Sequence, residues 1–146
     1  MRVHETVLID RPIEDVFEYL LKYENESKWQ SSVEEARLTS DGPVDLGTTG
    51  LEVRIIFGLR IETTWILTEY EPPHRATCES TSGPIGYILT YSLEDSDGGT
   101  IFSYQIDSDP RGFFKLFKLL PKGLSLRALR ADLATLKSIL ERRQSG

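Results

Sequence analysis

Polar and apolar residues alternate with a period of two at the start of the chain, where Val3, Val7 and Ile9 share one phase. That period is the mark of a half-buried β-strand. The pattern stops at Asp10-Arg11-Pro12 and a helical one replaces it. Pro12 suits a first helical turn, where its missing N–H costs nothing. Glu14 and Asp15 follow at the positive helix end, and Ile13, Val16, Phe17 and Leu20 form one apolar face. A second short helix is expected over residues 25–29. Period two then returns in six stretches: residues 33–40, 48–57, 60–70, 75–81, 87–93 and 100–106. Turn residues separate them, notably Asp41-Gly42-Pro43, Gly58, Pro72-Pro73, Ser82-Gly83-Pro84 and Asp97-Gly98-Gly99.

The chain closes on a different rhythm. Leu126, Leu129, Leu133, Leu136 and Leu140 recur at spacings of 3, 4, 3 and 4. Such a stripe buries one face of a helix along roughly 20 Å. Pro121 and Gly123 are expected to interrupt or kink any helix before it. The predicted order is β-α-α, six strands, then one long helix. Short turns between strands make antiparallel neighbours, so the class is α+β, a bent sheet closed by one amphipathic helix.

Length adds that 146 residues suit a single domain, 1–146, able to bury a core without staples. Cys78 is the lone cysteine, which excludes an internal disulfide and a Cys-rich zinc site. The N-terminus lacks the apolar core of a signal peptide, no stretch is long enough to span a bilayer, and a cytoplasmic setting fits. The net charge of −6 is uneven: residues 1–110 carry −13 and residues 111–146 carry +7. An acidic body argues against a nucleic-acid partner. The basic end either lies against the acidic sheet or meets an anionic lipid or ligand.

The run Val7-Leu8-Ile9-Asp10-Arg11-Pro12-Ile13-Glu14-Asp15-Val16-Phe17 resembles the opening of the polyketide cyclase/dehydrase-like branch of the START-like (SRPBCC, helix-grip) superfamily. Trp29, Leu46-Gly47, residues 67–73, Gly98-Gly99-Thr100 and residues 133–137 fall where that family has its later landmarks. The family usually carries Ala where this chain has Arg11, an exposed change of no expected weight. The resemblance implies a helix-grip (Bet v 1-like) fold, a curved antiparallel sheet wrapped around the C-terminal helix. It also implies a cavity between them for a hydrophobic or amphipathic small molecule such as a lipid, polyketide or quinone. Members include carriers and cyclases, so the resemblance leaves enzymatic activity open.

If Leu67 faces inward like its counterpart in that family, alternation brings Ile61, Thr63 and Trp65 inward too. The same phase offers Ala76 and Cys78, then Tyr87, Leu89, Tyr91 and Leu93, then Phe102, Tyr104 and Ile106. Apolarity places Leu51, Val53, Ile55 and Phe57 on that side as well, subject to any bulge. The expected ligand-binding set is Trp29, Val53, Ile55, Thr63, Trp65, Tyr87, Tyr91, Phe102, Tyr104, Phe117 and Leu129. Its apolar walls supply burial and its few hydroxyls fix orientation. For any one of these side chains, the alternative is a place in a filled core.

Familiar catalytic motifs are missing: no G-x-S-x-G, P-loop, G-x-G-x-x-G or H-E-x-x-H occurs. His4 and His74 are too far apart in sequence to suggest a metal site, and nothing points to a cofactor. His74 is expected in a solvated turn. Catalytic residues therefore stay unassigned. Tyr hydroxyls would act as hydrogen-bond donors or acids rather than bases. Glu5 either points inward with Val7 or sits solvated at the strand edge, and Cys78 reads as a small buried hydrophobe. Residues 112–122 are aromatic, amphipathic and cationic. Three roles fit them: a lid over the cavity, a peripheral membrane contact, or a homodimer contact.

Overall fold

A computed structural model describes residues 1–142. Its elements are β1 (Arg2–Ile9), α1 (Ile13–Leu21), a 3-10 turn (Tyr23–Asn25), α2 (Glu26–Trp29), β2 (Val33–Leu38), β3 (Thr49–Ile56), β4 (Leu59–Glu71), β5 (Arg75–Ser82), β6 (Ile85–Ser96), β7 (Gly99–Pro110), a 3-10 segment (Gly112–Leu119) and α3 (Lys122–Arg142). The strands form one seven-stranded antiparallel sheet in the order β1-β7-β6-β5-β4-β3-β2. It curls around α3, the helix-grip arrangement expected from the sequence.

α1 starts where Pro12, at φ −58°, presets the first turn, and Ile13, Val16, Phe17 and Leu20 are buried as their spacing requires. The path from α1 to α2 links the two sheet edges, since β1 and β2 are the outermost strands. Leu129, Leu133, Leu136 and Leu140 of α3 are buried in the main core with Ile9, Leu67, Leu93 and Phe102. Pro121 separates the 3-10 segment from α3, while Gly123 lies inside the first turn of α3.

Two hairpins set the register. Asp97 and Gly98 take φ of 50° and 85° between Ser96 and Gly99. Phe57 and Gly58 take φ of 51° and 77° between Ile56 and Leu59. Both are two-residue loops with positive φ at each position, whose twist matches that of the strands they join.

Arg11 is not the idle exposed residue expected of it. Its guanidinium is largely buried, donates to the Leu140 carbonyl at 3.0 Å and pairs with Asp15 at 2.7 Å. It ties the C-terminal part of α3 to the start of α1. His74 is exposed in a turn, as expected, and its Nδ1 lies 3.2 Å from the Leu93 carbonyl. Among the described residues, no helix is long and apolar enough to cross a membrane.

Candidate functional site

A cavity of about 360 Å3 lies between the sheet and the N-terminal half of α3. β6 and β7 contribute Ile85, Tyr87 and Leu89, then Tyr104, Ile106, Ser108 and Pro110; β1 adds Val3. β4 supplies Ile61 and Thr63, and α3 supplies Leu124, Ser125, Ala128, Leu129 and Asp132. The strand register orders these residues along the cavity. Phe57, Ile85, Pro110, Phe117, Leu120 and Leu124 belong to the mouth, and Glu52, Thr63, Leu89, Tyr104 and Asp132 to the inner end.

The wall formed by β3 reverses the expected phase. Ile56 pairs with Leu59, so Arg54 faces Ile61 across the hairpin and Glu52 faces Thr63. Paired residues share a face of the sheet. Glu52, Arg54 and Ile56 therefore line the cavity, and Val53 and Ile55 point to the opposite face. Val53 is buried there and Ile55 is 40% exposed. The two-residue loop fixes this parity, and apolarity misread it. Gly50 shows the same parity, since a Cβ there would drive into the Trp65 indole.

The charged residues turned inward form a hydrogen-bonded network. Arg54 Nε donates to Glu52 at 2.6 Å, its Nη1 to Ser32 at 2.8 Å, and its Nη2 to Gln30 Oε1 at 2.6 Å and Glu52 at 3.2 Å. The Glu52 and Arg54 side chains are only 6% and 20% exposed. Glu26 lies behind them, fully buried. Burial, the Glu52 charge and a hydrogen bond to Glu52 push its carboxyl well above the usual range, which favours the protonated form. Burial alone would raise Glu52 as well. The Arg54 charge and the hydrogen bonds from Glu26 and Arg54 outweigh that and hold Glu52 below the usual range. Burial opposes the Arg54 charge, yet the carboxylate beside it keeps the guanidinium charged.

Thr63, Tyr87, Tyr104, Phe117 and Leu129 line the cavity. The other expected residues lie elsewhere. Trp29 is core, edge-on to Tyr104 at 6.4 Å. Trp65 packs on Tyr23 at 4.5 Å, and Tyr91 sits between Phe102 and Tyr104 at 5.2 and 5.8 Å. These large rings fill the inner space beneath α3, so Trp29, Trp65, Tyr91 and Phe102 close the cavity from behind without lining it. Burial, first of all, raises the hydroxyls of Tyr87, Tyr91 and Tyr104, so they stay protonated donors. Cys78 is buried 3.6 Å from the Tyr23 hydroxyl, and burial pushes its thiol up to about 12. A thiol held in that form is no nucleophile. Glu5 does point inward with Val7, but it pairs with Arg130 of α3 at 2.8 Å at the sheet edge. Sequence reasoning missed Glu26, Gln30, Ser32, Glu52, Arg54 and Asp132. The two-residue hairpin at Phe57-Gly58 was the signal that could have found Glu52 and Arg54.

The mouth is rimmed by exposed apolar side chains. Phe113 is 66% and Leu119 is 80% exposed, and the 3-10 segment buries none of its residues. Phe57 and Phe117 meet edge-on at 6.0 Å across the opening. Lys115, Lys118 and Lys122 are interleaved with these residues.

The fold has many solved relatives at low identity. The Thermus thermophilus protein TTHA0849 superposes with a TM-score of 0.80 at 18% identity, covering 94% of this chain and 95% of that one. A START superfamily protein from Mycobacterium smegmatis matches at 0.72 and 12% identity, over 97% and 95% of the two chains. The Zhui aromatase/cyclase from Streptomyces sp. R1128 matches at 0.74 and 13% identity, over 98% and 94%. No curated protein matches the chain by sequence. The family model for polyketide cyclases/dehydrases and lipid transport matches residues 1–141, and the chain belongs to that family.

Proposed function

We propose that the protein binds a hydrophobic or aromatic small molecule between the sheet and α3. The observation that carries this reading is the cavity itself: about 360 Å3, walled mostly by apolar side chains, with its charged, hydrogen-bonded pair set deeper than the exposed apolar rim. Apolar walls supply burial at roughly 25 cal/mol per Å2, and a few fixed polar groups orient the ligand. The family and the START-type neighbours support the same reading. The state of the polar groups favours binding over base catalysis. The tyrosines remain protonated, and Glu52 is already held by Arg54 and Glu26. One structural neighbour is an aromatase/cyclase, and a cavity that folds and positions a reactive chain would also serve such chemistry.

Ala128 lines the cavity and is open to solvent, so Ala128→Trp should narrow the opening without disturbing the buried core. The wild type should take up Nile red and carry apolar compounds through purification, as seen by mass spectrometry of an organic extract. The variant should lose uptake and keep its melting temperature. Equal uptake by both proteins would place the dye elsewhere and remove this reading.

A second reading concerns the rim. Exposed Phe113, Leu116 and Leu119 alternate with Lys115, Lys118 and Lys122 at the start of the basic end of a chain whose residues 1–110 are acidic. An apolar tip within a cationic collar suits shallow insertion into an anionic bilayer, with the cavity mouth facing the lipid. Co-sedimentation with phosphatidylglycerol vesicles, but not phosphatidylcholine vesicles, is expected. Its loss in Phe113→Ser/Leu119→Ser would locate the contact. A wild type that instead sediments as a dimer, with no vesicle binding, would assign the rim to a second copy of the chain.

A further inference from the structure

The inner end of the cavity carries more than its walls need. Arg54 is the one Lys or Arg among the residues lining the cavity. Its guanidinium is already committed to Glu52, Ser32 and Gln30. Two carboxylates, Glu52 and Asp132, border the same space. Asp132 accepts the Ser31 backbone N–H at 3.1 Å, which anchors α3 to the start of β2 without neutralising the charge. The hydroxyls of Thr63, Tyr87 and Tyr104 also line the cavity and have no hydrogen-bond partner among the described residues.

These facts define what can sit there. At the inner end a carboxylate or phosphate head would meet the Asp132 carboxylate and an Arg54 already paired with Glu52, while the Met1 ammonium on the lining sits towards the mouth, on the Ser108 carbonyl at 2.6 Å. Burying an unpaired charge is costly, and like charges add to that cost. A cationic head would find Glu52 saturated and only the part-exposed, solvent-screened Asp132 to pair with. An uncharged oxygen fits best, because the open groups are hydroxyl donors and a carbonyl or ester oxygen accepts.

We propose that the cavity selects uncharged ligands bearing an acceptor oxygen, which is seated inward among Thr63, Tyr87 and Tyr104, and rejects the corresponding acids. The proposal rests on the cavity-binding reading above and names its ligand class. It explains why a charged pair can line an apolar cavity: Glu52 and Arg54 neutralise each other, present no net charge to the ligand, and leave Asp132 to repel anions.

Four probes of one chain length test it, each read by displacement of Nile red: methyl octanoate, octanoate, octylamine and octane. Methyl octanoate should bind more tightly than octanoate and octylamine, each by on the order of tenfold or more. Tyr104→Phe should weaken the ester several-fold and leave octane unchanged, which a merely structural role would not do. Asp132→Asn, at a part-exposed helix position, should narrow the gap between ester and octanoate. Glu52→Gln, which leaves the Arg54 charge unmatched, should narrow it further or invert it. Octanoate binding as tightly as the ester to the wild type would overturn the proposal, and so would octylamine binding more tightly than either. If octane and all three relatives fail to displace the dye, the cavity-binding reading itself falls. That result differs from the ester, octane and octanoate all binding equally well, which would sink only the selection for uncharged oxygen.

Discussion

The two halves of α3 cover the same face of the same sheet and do opposite things. Towards its C-terminus, Leu133, Leu136 and Leu140 press into a space filled by Ile9, Leu93, Phe102 and the helices linking the sheet edges. Towards its N-terminus, Leu124, Ser125 and Ala128 face open volume. The difference lies in what the sheet and its connections bring. The packed half receives Trp29, Trp65, Tyr23 and Tyr91, whose rings contact one another or their neighbours edge-on or tilted. The open half receives mostly smaller side chains, Thr63, Ser108, Ile61 and Ile106, beside Tyr87 and Tyr104 and a charged pair. Stability is thus concentrated at one end of the grip, and the other encloses open volume.

Breaking the boundary between the halves should have the largest effect. Arg54→Met strands the Glu52 carboxylate beside Glu26, and losing one partner of a buried pair costs about 3–5 kcal/mol. Urea unfolding of that variant should show a loss of this order. The double variant Arg54→Met/Glu52→Gln should recover much of it, because no unmatched charge remains. A double variant no better than the single would mean that the loss comes from packing and not from charge. Within the packed half, Leu136 is fully buried, and Leu136→Ala should cost about 2–5 kcal/mol through transfer and cavity terms.

Glu26→Gln sharpens the electrostatic side. A carboxyl whose folded pKa is raised contributes stability fully below its unfolded value near about 4.3, and loses it as pH rises towards the folded value. Gln keeps the neutral form at every pH. The variant should therefore gain on the wild type above about pH 4.3, by up to about 1.4 kcal/mol per pH unit. Glu52 runs the other way: its depressed pKa makes its contribution present above the unfolded value and lost on acidification, in both proteins. A stability difference that stays flat from pH 4.5 to 7.5 would show that Glu26 is charged in the fold.

The same division explains what the sequence could reveal. The leucine stripe of α3 and the alternation of β6 and β7 each report a single boundary between core and solvent, so periodicity reads them correctly. β3 lies on a different boundary. Its apolar residues Leu51, Val53 and Ile55 face away from the cavity, and its charged residues face in, because they neutralise each other. A pattern rule treats charge as solvated and cannot register that compensation. Hairpin geometry could: two residues between Ile56 and Leu59 force Glu52 opposite Thr63, whatever their polarity. The placement of Trp29 behind the cavity wall was beyond either rule. It depends on how far a short helix carries an indole towards β7, which only packing decides.

The smallest effect on stability should come from Leu124, and for that reason it separates the halves most cleanly. Leu124 and Leu136 are the same residue type on one helix, but Leu124 is half exposed at the mouth. Leu124→Ala should change unfolding free energy by no more than about 0.5 kcal/mol, as for surface positions in general. Its consequence should appear instead in binding, since removing the side chain widens the opening and strips apolar wall from the guest. Nile red should then enter and leave faster and bind less tightly. If Leu124→Ala destabilised the protein as much as Leu136→Ala does, the N-terminal half of α3 would be part of the packed core, and the division between a stabilising end and an admitting end would fail.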